Sequence, residues 1–176
     1  MSKVVVFNQI GGAEVLKIQE MQVRAPDANE VQIRVRAIGI NRAEVMYRTG
    51  QYIYQPNFPA RLGYEAAGII ESVGDNVREF APGDYVSVIP AFSFHQYGMY
   101  GEVVNAPAHA VVKHPQNLSF TEAAASWMMY VTAFGALVEY ADIKPGDNVL
   151  INAASSSVGL AAIQIANMRG AKPIAM

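Results

Sequence analysis

The run Asn148-Val149-Leu150-Ile151-Asn152-Ala153 is apolar without alternation, and it passes through Ser155-Ser156-Ser157-Val158-Gly159 into a helical stretch from Leu160 to Met168. An unalternating strand of this kind belongs in a parallel sheet, buried on both faces. The small residues behind it let the next helix start close to the strand end, where unpaired N–H groups and the positive dipole end favour an anion. Gly170 supplies a C-terminal cap, and Ala171 to Met176 opens a second strand. One strand, one helix and the start of another strand cannot cover both faces of a parallel sheet. The chain is therefore expected to be a fragment of a longer polypeptide, or to have its exposed strand covered by a partner chain. Only Gly159 remains of a Gly-x-Gly-x-x-Gly fingerprint, so the residues alone fit a dinucleotide site and an ordinary strand-to-helix turn about equally.

Upstream the pattern is different. From Glu30 to Ala37, Val31, Ile33, Val35 and Ala37 alternate with Gln32, Arg34 and Arg36, as a half-buried antiparallel strand requires. Lys3 to Phe7, Val15 to Arg24, Ala66 to Val73, Asp84 to Ile89, Gly101 to Asn105 and His109 to Val112 are further predicted strands, and many short strands at this spacing imply a barrel or sandwich. Pro82-Gly83-Asp84 and Pro145-Gly146-Asp147 read as turns. Asn41 to Arg48 has weak helical character, and Ile89 to Tyr100 reads as an aromatic loop. Ser119 and Glu122 are spaced as a capping box, predicting a long apolar helix to about Tyr140. The architecture thus changes near Asn117, which divides the chain into residues 1–117 and 118–176.

Composition narrows the function. The 176 residues are 52% apolar, enough for a substantial core, and their net charge of −2 offers no field for nucleic acid or an anionic membrane. Zero cysteines exclude disulfides, thiolate nucleophiles and sulfur-ligated zinc or iron–sulfur sites. Met1 to Phe7 is too brief for a signal peptide, and no window approaches eighteen uninterrupted apolar residues. A soluble cytoplasmic protein is the expectation.

Six segments in order carry a family likeness: Gly39-Ile40-Asn41-Arg42-Ala43-Glu44, Tyr47-Arg48-Thr49-Gly50-Gln51-Tyr52, Gly63-Tyr64-Glu65-Ala66-Ala67-Gly68 with Glu71-Ser72-Val73-Gly74, Pro82-Gly83-Asp84-Tyr85-Val86, Tyr130-Val131-Thr132-Ala133-Phe134-Gly135-Ala136-Leu137, and Ala153 to Ala162. Over its whole length the chain resembles the zinc-independent quinone oxidoreductases of the medium-chain dehydrogenase/reductase superfamily. The resemblance implies an α+β and α/β chain, with a GroES-like β-barrel catalytic domain followed by the beginning of a Rossmann domain that is cut off. In the zinc-dependent branch the first two catalytic ligands are a Cys after an early Gly-Val and the His of a Gly-His-Glu motif. Asn41 and Tyr64 stand there, and Phe92, Phe94, His95, Tyr97 and Tyr100 fill the loop that carries four structural cysteines in those relatives. No metal is expected at either site.

Without zinc, the oxygen's growing negative charge must be met by donors placed in advance. By resemblance these are Asn41, Tyr47, Arg48 and Tyr52. A Tyr at the position of Tyr52 is the proposed proton donor in the related enoyl-thioester reductases. Asn41 and Thr132 are expected to contact the cofactor, and Ser155, Ser156, Ser157, Val158 and Gly159 its pyrophosphate. Each residue also has a plainer reading. Asn41 can end a strand in a left-handed conformation, Tyr47 and Tyr52 can be half-buried aromatics with wet hydroxyls, Arg48 can be a solvated charge, and Thr132 can bond back to its own helix. His95, His109 and His114 lack the spacing of a zinc motif and read as structural or surface residues, with His95 able to border a cleft. Glu65 fits a structural hydrogen-bonding role at least as well as a catalytic one.

The activity implied is NAD(P)H-dependent reduction of a quinone or an α,β-unsaturated carbonyl compound, with a small-molecule substrate and a homodimeric full-length parent. NADPH is expected by resemblance and NADH is the alternative, because residues that read the ribose 2′-position follow the second Rossmann strand. A non-catalytic crystallin-like or binding protein, and a zinc-type alcohol dehydrogenase, are the competing readings.

Overall fold

A computed structural model describes residues 1–176, which form two compact units, Met1–Ala125 and Ser126–Met176. The first unit contains two antiparallel sheets. One has the order β2-β1-β4, from strands β1 (Ser2–Phe7), β2 (Lys17–Met21) and β4 (Ala60–Arg61). The other has the order β7-β3-β5-β6-β8, from β3 (Glu30–Ile38), β5 (Ala66–Val73), β6 (Tyr85–Val88), β7 (Val103–Pro107) and β8 (Val111–Lys113). A bridge between Val4 and Gly101 ties β1 to the segment just before β7.

The alternation of β3 does what it predicts. Val31 and Ile33 are fully buried while Arg34 and Arg36 face water, and the strand pairs on both sides, Val31 opposite Val73 of β5 and Ala106 of β7. With Ala66, Ile70, Val86, Val88, Met99 and Val104, these side chains fill the core of the larger sheet. Two strand expectations are corrected. The segment predicted as Val15 to Arg24 is a 3₁₀ turn, Ala13–Val15, and then β2 alone. The strand ends at Met21 because its partner β1 begins at Ser2, opposite it, and Arg24 beyond it makes a two-pronged contact with the Glu30 carboxylate, at 2.6 and 2.8 Å. The strand predicted from His109 begins only at Val111, after a 3₁₀ turn over Ala108–Ala110.

The expected capping box is present. The backbone N–H of Ser119 donates to Glu122 Oε2 at 3.0 Å, and that of Glu122 donates to Ser119 Oγ at 3.3 Å, at the start of α2 (Phe120–Phe134). The helix continues to Tyr140 as predicted, but its last turns, Gly135–Tyr140, widen into a π-helix. The compact units divide within α2, whose first residues Ala123 and Ala124 pack with Ala67 of β5.

In the second unit β9 (Asn148–Ile151) pairs in parallel with β10 (Lys172–Ala175), and α3 (Ser157–Met168) runs between them. Ala161, Ala162 and Ile165 of α3 pack with Ile151, Ala154 and Ala133. The β9 strand is not buried on both faces as its apolar run predicts. The sheet has only two strands, and Leu150 is 60% exposed. Gly146 takes a φ of +91° in the predicted Pro-Gly-Asp turn, whose Asp147 carboxylate accepts from the Lys144 N–H at 2.7 Å.

Candidate functional site

The first unit gathers the candidate catalytic residues around α1 (Arg42–Arg48) and the loop after it. Asn41 starts the helix in an extended conformation, φ −127°, not the left-handed one its residue type permits. Its backbone N–H donates to Glu44 Oε2 at 2.7 Å and its Nδ2 to Glu65 Oε1 at 3.0 Å. Glu44 also accepts from the Tyr64 N–H at 3.2 Å. Both carboxylates are buried, and burial raises the Glu44 carboxyl above its ordinary value against the pull of these backbone donors. Asn41 is therefore a strut between two acids as well as a helix cap.

Tyr47 is fully buried. Its ring stacks on Phe94 at 4.6 Å and meets Phe7 and Tyr54 edge-on, and burial raises its phenol. Distant aromatics from β1 and the 92–97 loop close over it, so its phenol is not the half-wet one its plainer reading describes. Arg48 is anchored through Nη1 to the Gly11 carbonyl at 3.0 Å.

Tyr52 is only half-buried, and its hydroxyl joins a cluster. Tyr52 Oη lies 3.1 Å from Tyr64 Oη, which lies 2.8 Å from Tyr54 Oη. Tyr54 Oη in turn accepts from the Phe94 backbone N–H at 3.1 Å. Gly63 makes this possible, since at φ +104° its missing Cβ would strike the Met99 and Tyr100 backbone nitrogens at 2.9 Å. Burial first, then the Tyr52 and Tyr54 hydroxyls, push the Tyr64 phenol far above the ordinary tyrosine range. His95 packs on the Tyr54 ring at 4.6 Å and donates through Nε2 to the Gln55 carbonyl at 2.7 Å. Elsewhere on this unit, an apolar cavity of about 370 Å³ lined by Val4, Ile18, Val35, Ile38 and Tyr100 includes none of the candidate residues.

In the second unit the candidate cofactor residues form the β9–α3 turn. Ser156 caps α3, its Oγ accepting from the Gly159 N–H at 3.1 Å. Ser155, Ser157 and Val158 are exposed, and the N–H groups of Ser157 and Val158 begin the helix with no carbonyl a turn before them. Gly159 is buried. A Cβ there would stand 2.6 Å from the Ala153 carbonyl oxygen and 2.7 Å from Ala154 Cα. Thr132 donates Oγ1–H to the Met128 carbonyl one turn back at 2.6 Å.

Residues 27–116 match the model of the alcohol dehydrogenase GroES-like domain. The chain belongs to that family. It is 42% identical over 165 residues to the quinone oxidoreductase of Homo sapiens, a match covering 93% of this chain and 49% of that protein. Among solved structures it is similar to the Escherichia coli quinone oxidoreductase complexed with NADPH, with a TM-score of 0.86 at 37% identity over 98% of this chain and 52% of the other. It is also similar to the CurK enoyl reductase, with a TM-score of 0.89 at 32% identity over 99% of this chain and 53% of the other. The chain spans about half the length of these relatives.

Within the GroES-like domain, no three His, Cys, Asp or Glu side chains lie together so as to hold a metal ion, and none do elsewhere in the chain. The sequence reading named Tyr64 only as a replaced ligand and missed Tyr54 altogether. A signal for Tyr54 was present: Tyr52-Ile53-Tyr54 sets two phenols two residues apart, and Ile53 between them is 85% exposed.

Proposed function

We propose that the polypeptide carrying this chain is an oxidoreductase that transfers a hydride from NAD(P)H to a quinone or an α,β-unsaturated carbonyl compound, and that it does so without a metal. The observation that carries this reading is the hydroxyl cluster of Tyr52, Tyr54 and Tyr64. The zinc-dependent relatives are expected to place a histidine ligand at the position of Tyr64, and here a phenol bonds two others instead. Tyr52, at the rim, donates to the substrate oxygen as negative charge builds there, which a preorganised donor in a dry site can stabilise by roughly 2.7–4 kcal/mol. The proton delivered to that oxygen comes from Tyr52 Oη or from water. Arg48, fixed through Nη1, keeps its other N–H groups for the same oxygen.

The β9–α3 turn fits a dinucleotide. Gly159 keeps α3 against the Ala153–Ala154 backbone where any Cβ would hold it off, so the Ser157 and Val158 N–H groups and the serine hydroxyls can approach a pyrophosphate closely. When bound, the nicotinamide supplies the hydride. Ser155 to Gly159 bind and orient it in this reading, with Thr132 a further contact. The NADPH carried by the Escherichia coli relative favours the phosphorylated cofactor. A homodimer and a cytoplasmic location belong to the same proposal; no helix of the chain is long and apolar enough to cross a membrane.

The test is a titration with NADPH and NADH, followed by cofactor oxidation in the presence of 1,4-benzoquinone or 2-cyclohexen-1-one, with and without a chelator. Saturable binding and acceptor-dependent oxidation that survive chelation are expected. Loss of turnover on chelation would overturn the metal-free mechanism, and absence of both binding and oxidation would leave a non-catalytic protein.

A further inference from the structure

We propose that Tyr54 and Tyr64 are positioning residues for Tyr52: they form a one-way hydrogen-bond chain, Phe94 N–H to Tyr54 to Tyr64 to Tyr52, which leaves the Tyr52 proton as the one not consumed inside the protein. The inference rests on the reading of Tyr52 as the group that meets the substrate oxygen, and it assigns two further residues to that task.

Proton counting limits the possible directions, and polarisation along the chain selects one of them. Each phenol has one proton to donate and lone pairs to accept with. The Phe94 amide can only donate, so Tyr54 Oη is an acceptor in that 3.1 Å contact. A hydroxyl that accepts becomes a stronger donor, because neighbouring hydrogen bonds polarise one another. Tyr54 therefore donates to Tyr64, across the shorter of the two phenol contacts, 2.8 Å. Tyr64 is then left to donate across 3.1 Å to Tyr52. Were both neighbours to donate to Tyr64, its own proton would be stranded in a site only 6% exposed, and a buried donor without an acceptor is costly.

The ring packing holds this order in place. Tyr64 lies on Phe94 with centroids 3.8 Å apart, and Tyr52 and Tyr54 meet edge-on at 5.1 Å. Phe94 thus fixes both the amide that begins the chain and the ring beneath its middle member. Tyr52, half-buried, ends the chain with its oxygen occupied by the Tyr64 proton and its own proton directed away from the cluster. A carbonyl or quinone oxygen is the chemical class of acceptor this arrangement fits.

The chain can be read directly by NMR on the protein labelled with [13Cζ]tyrosine in equal volumes of H2O and D2O. A hydroxyl held in a hydrogen bond and slow to exchange gives two Cζ lines, and a free one gives a single averaged line. Doubled lines are expected for Tyr54 and Tyr64 and a single line for Tyr52. A doubled Tyr52 line, or single lines for all three, overturns the proposal. Tyr54→Phe should leave Tyr64 doubled, since its acceptor remains; collapse of the Tyr64 line in that variant indicates the reverse direction and also overturns it. Should Tyr54→Phe fail to fold, Tyr64→Phe is the second variant, and there Tyr54 should collapse to one line. In the enone assay, Tyr64→Phe should lower turnover on the order of tenfold with the KM for cofactor unchanged. Unchanged turnover overturns the positioning role. If the unaltered protein shows no cofactor oxidation at all, the proposed function fails, and the isotope pattern still decides whether the chain runs as stated.

Discussion

Asn41 and Glu65 are joined by a hydrogen bond of 3.0 Å from Nδ2 to Oε1, across twenty-four positions of sequence, and the same asparagine holds Glu44 through its backbone N–H. Two buried carboxylates thus depend on one helix-capping residue. Asn41→Ala removes the cap, worth about 1 kcal/mol, and one donor to the buried Glu65, so a total loss of roughly 2–3 kcal/mol is expected in urea unfolding. Asn41→Asp should cost more at neutral pH than at pH 4, because it adds a third carboxylate beside Glu44 and Glu65.

Acid stability has opposing contributions with separate pH windows. Burial alone would raise the Glu30 carboxyl, but hydrogen bonds from Arg24, the Asp27 N–H and Tyr97 outweigh it and lower the pKa from 4.5 to about 2. The stability Glu30 contributes is complete above pH 4.5 and is lost as pH falls toward 2. His114, lowered from 6.5 by burial, adds a decline that begins as pH falls through 6.5, when the unfolded chain takes up a proton the folded one refuses. Glu44, raised by burial, acts with the opposite sign: its contribution is present below pH 4.5 and lost as pH rises. Glu30→Gln should flatten the segment between pH 4.5 and 2, as followed by urea midpoints across pH. An unchanged slope there would remove Glu30 as its source.

Two glycines separate packing from propensity. Gly159→Ala is expected to destabilise the second unit by about 1–3 kcal/mol, since the added methyl must push α3 off backbone atoms that cannot yield. Nucleotide binding should weaken with it. Gly135→Ala meets nothing within 4 Å and should stabilise the helical segment by about 0.5–1 kcal/mol. Hydrogen exchange in α2 and α3 measures both, and equal protection in the two variants would refute the close-packing role of Gly159.

Tyr52→Phe distinguishes chemistry from stability. It deletes the acceptor of the buried Tyr64 proton, so folding should lose about 1–3 kcal/mol, whereas turnover should fall by about 10²–10³ with cofactor binding unchanged. Turnover equal to that of the unaltered protein would take Tyr52 out of the mechanism.

Much of the scaffold is legible in residue type and spacing. The alternation of Val31, Ile33 and Val35, the Ser119–Glu122 box, the two Pro-Gly-Asp turns and the small-residue turn before α3 all appear where spacing places them. So does the hydroxyl of Thr132, which bonds four residues back. What spacing could not show is who stands beside whom at long range. Tyr97 reaches Glu30 across sixty-seven positions, and Phe94 reaches Tyr54 across forty. Tyr47 looked like a half-wet phenol until Phe7 and Phe94 closed over it.

The division has a physical cause. Strand alternation, helix caps and turns are settled within four residues of backbone, where residue type and spacing carry the geometry. Whether a phenol is sealed in a core, as Tyr47 is, or ends a hydrogen-bonded chain at the rim, as Tyr52 does, depends on segments brought in from distant parts of the chain, and burial and proton direction exist only once they have packed.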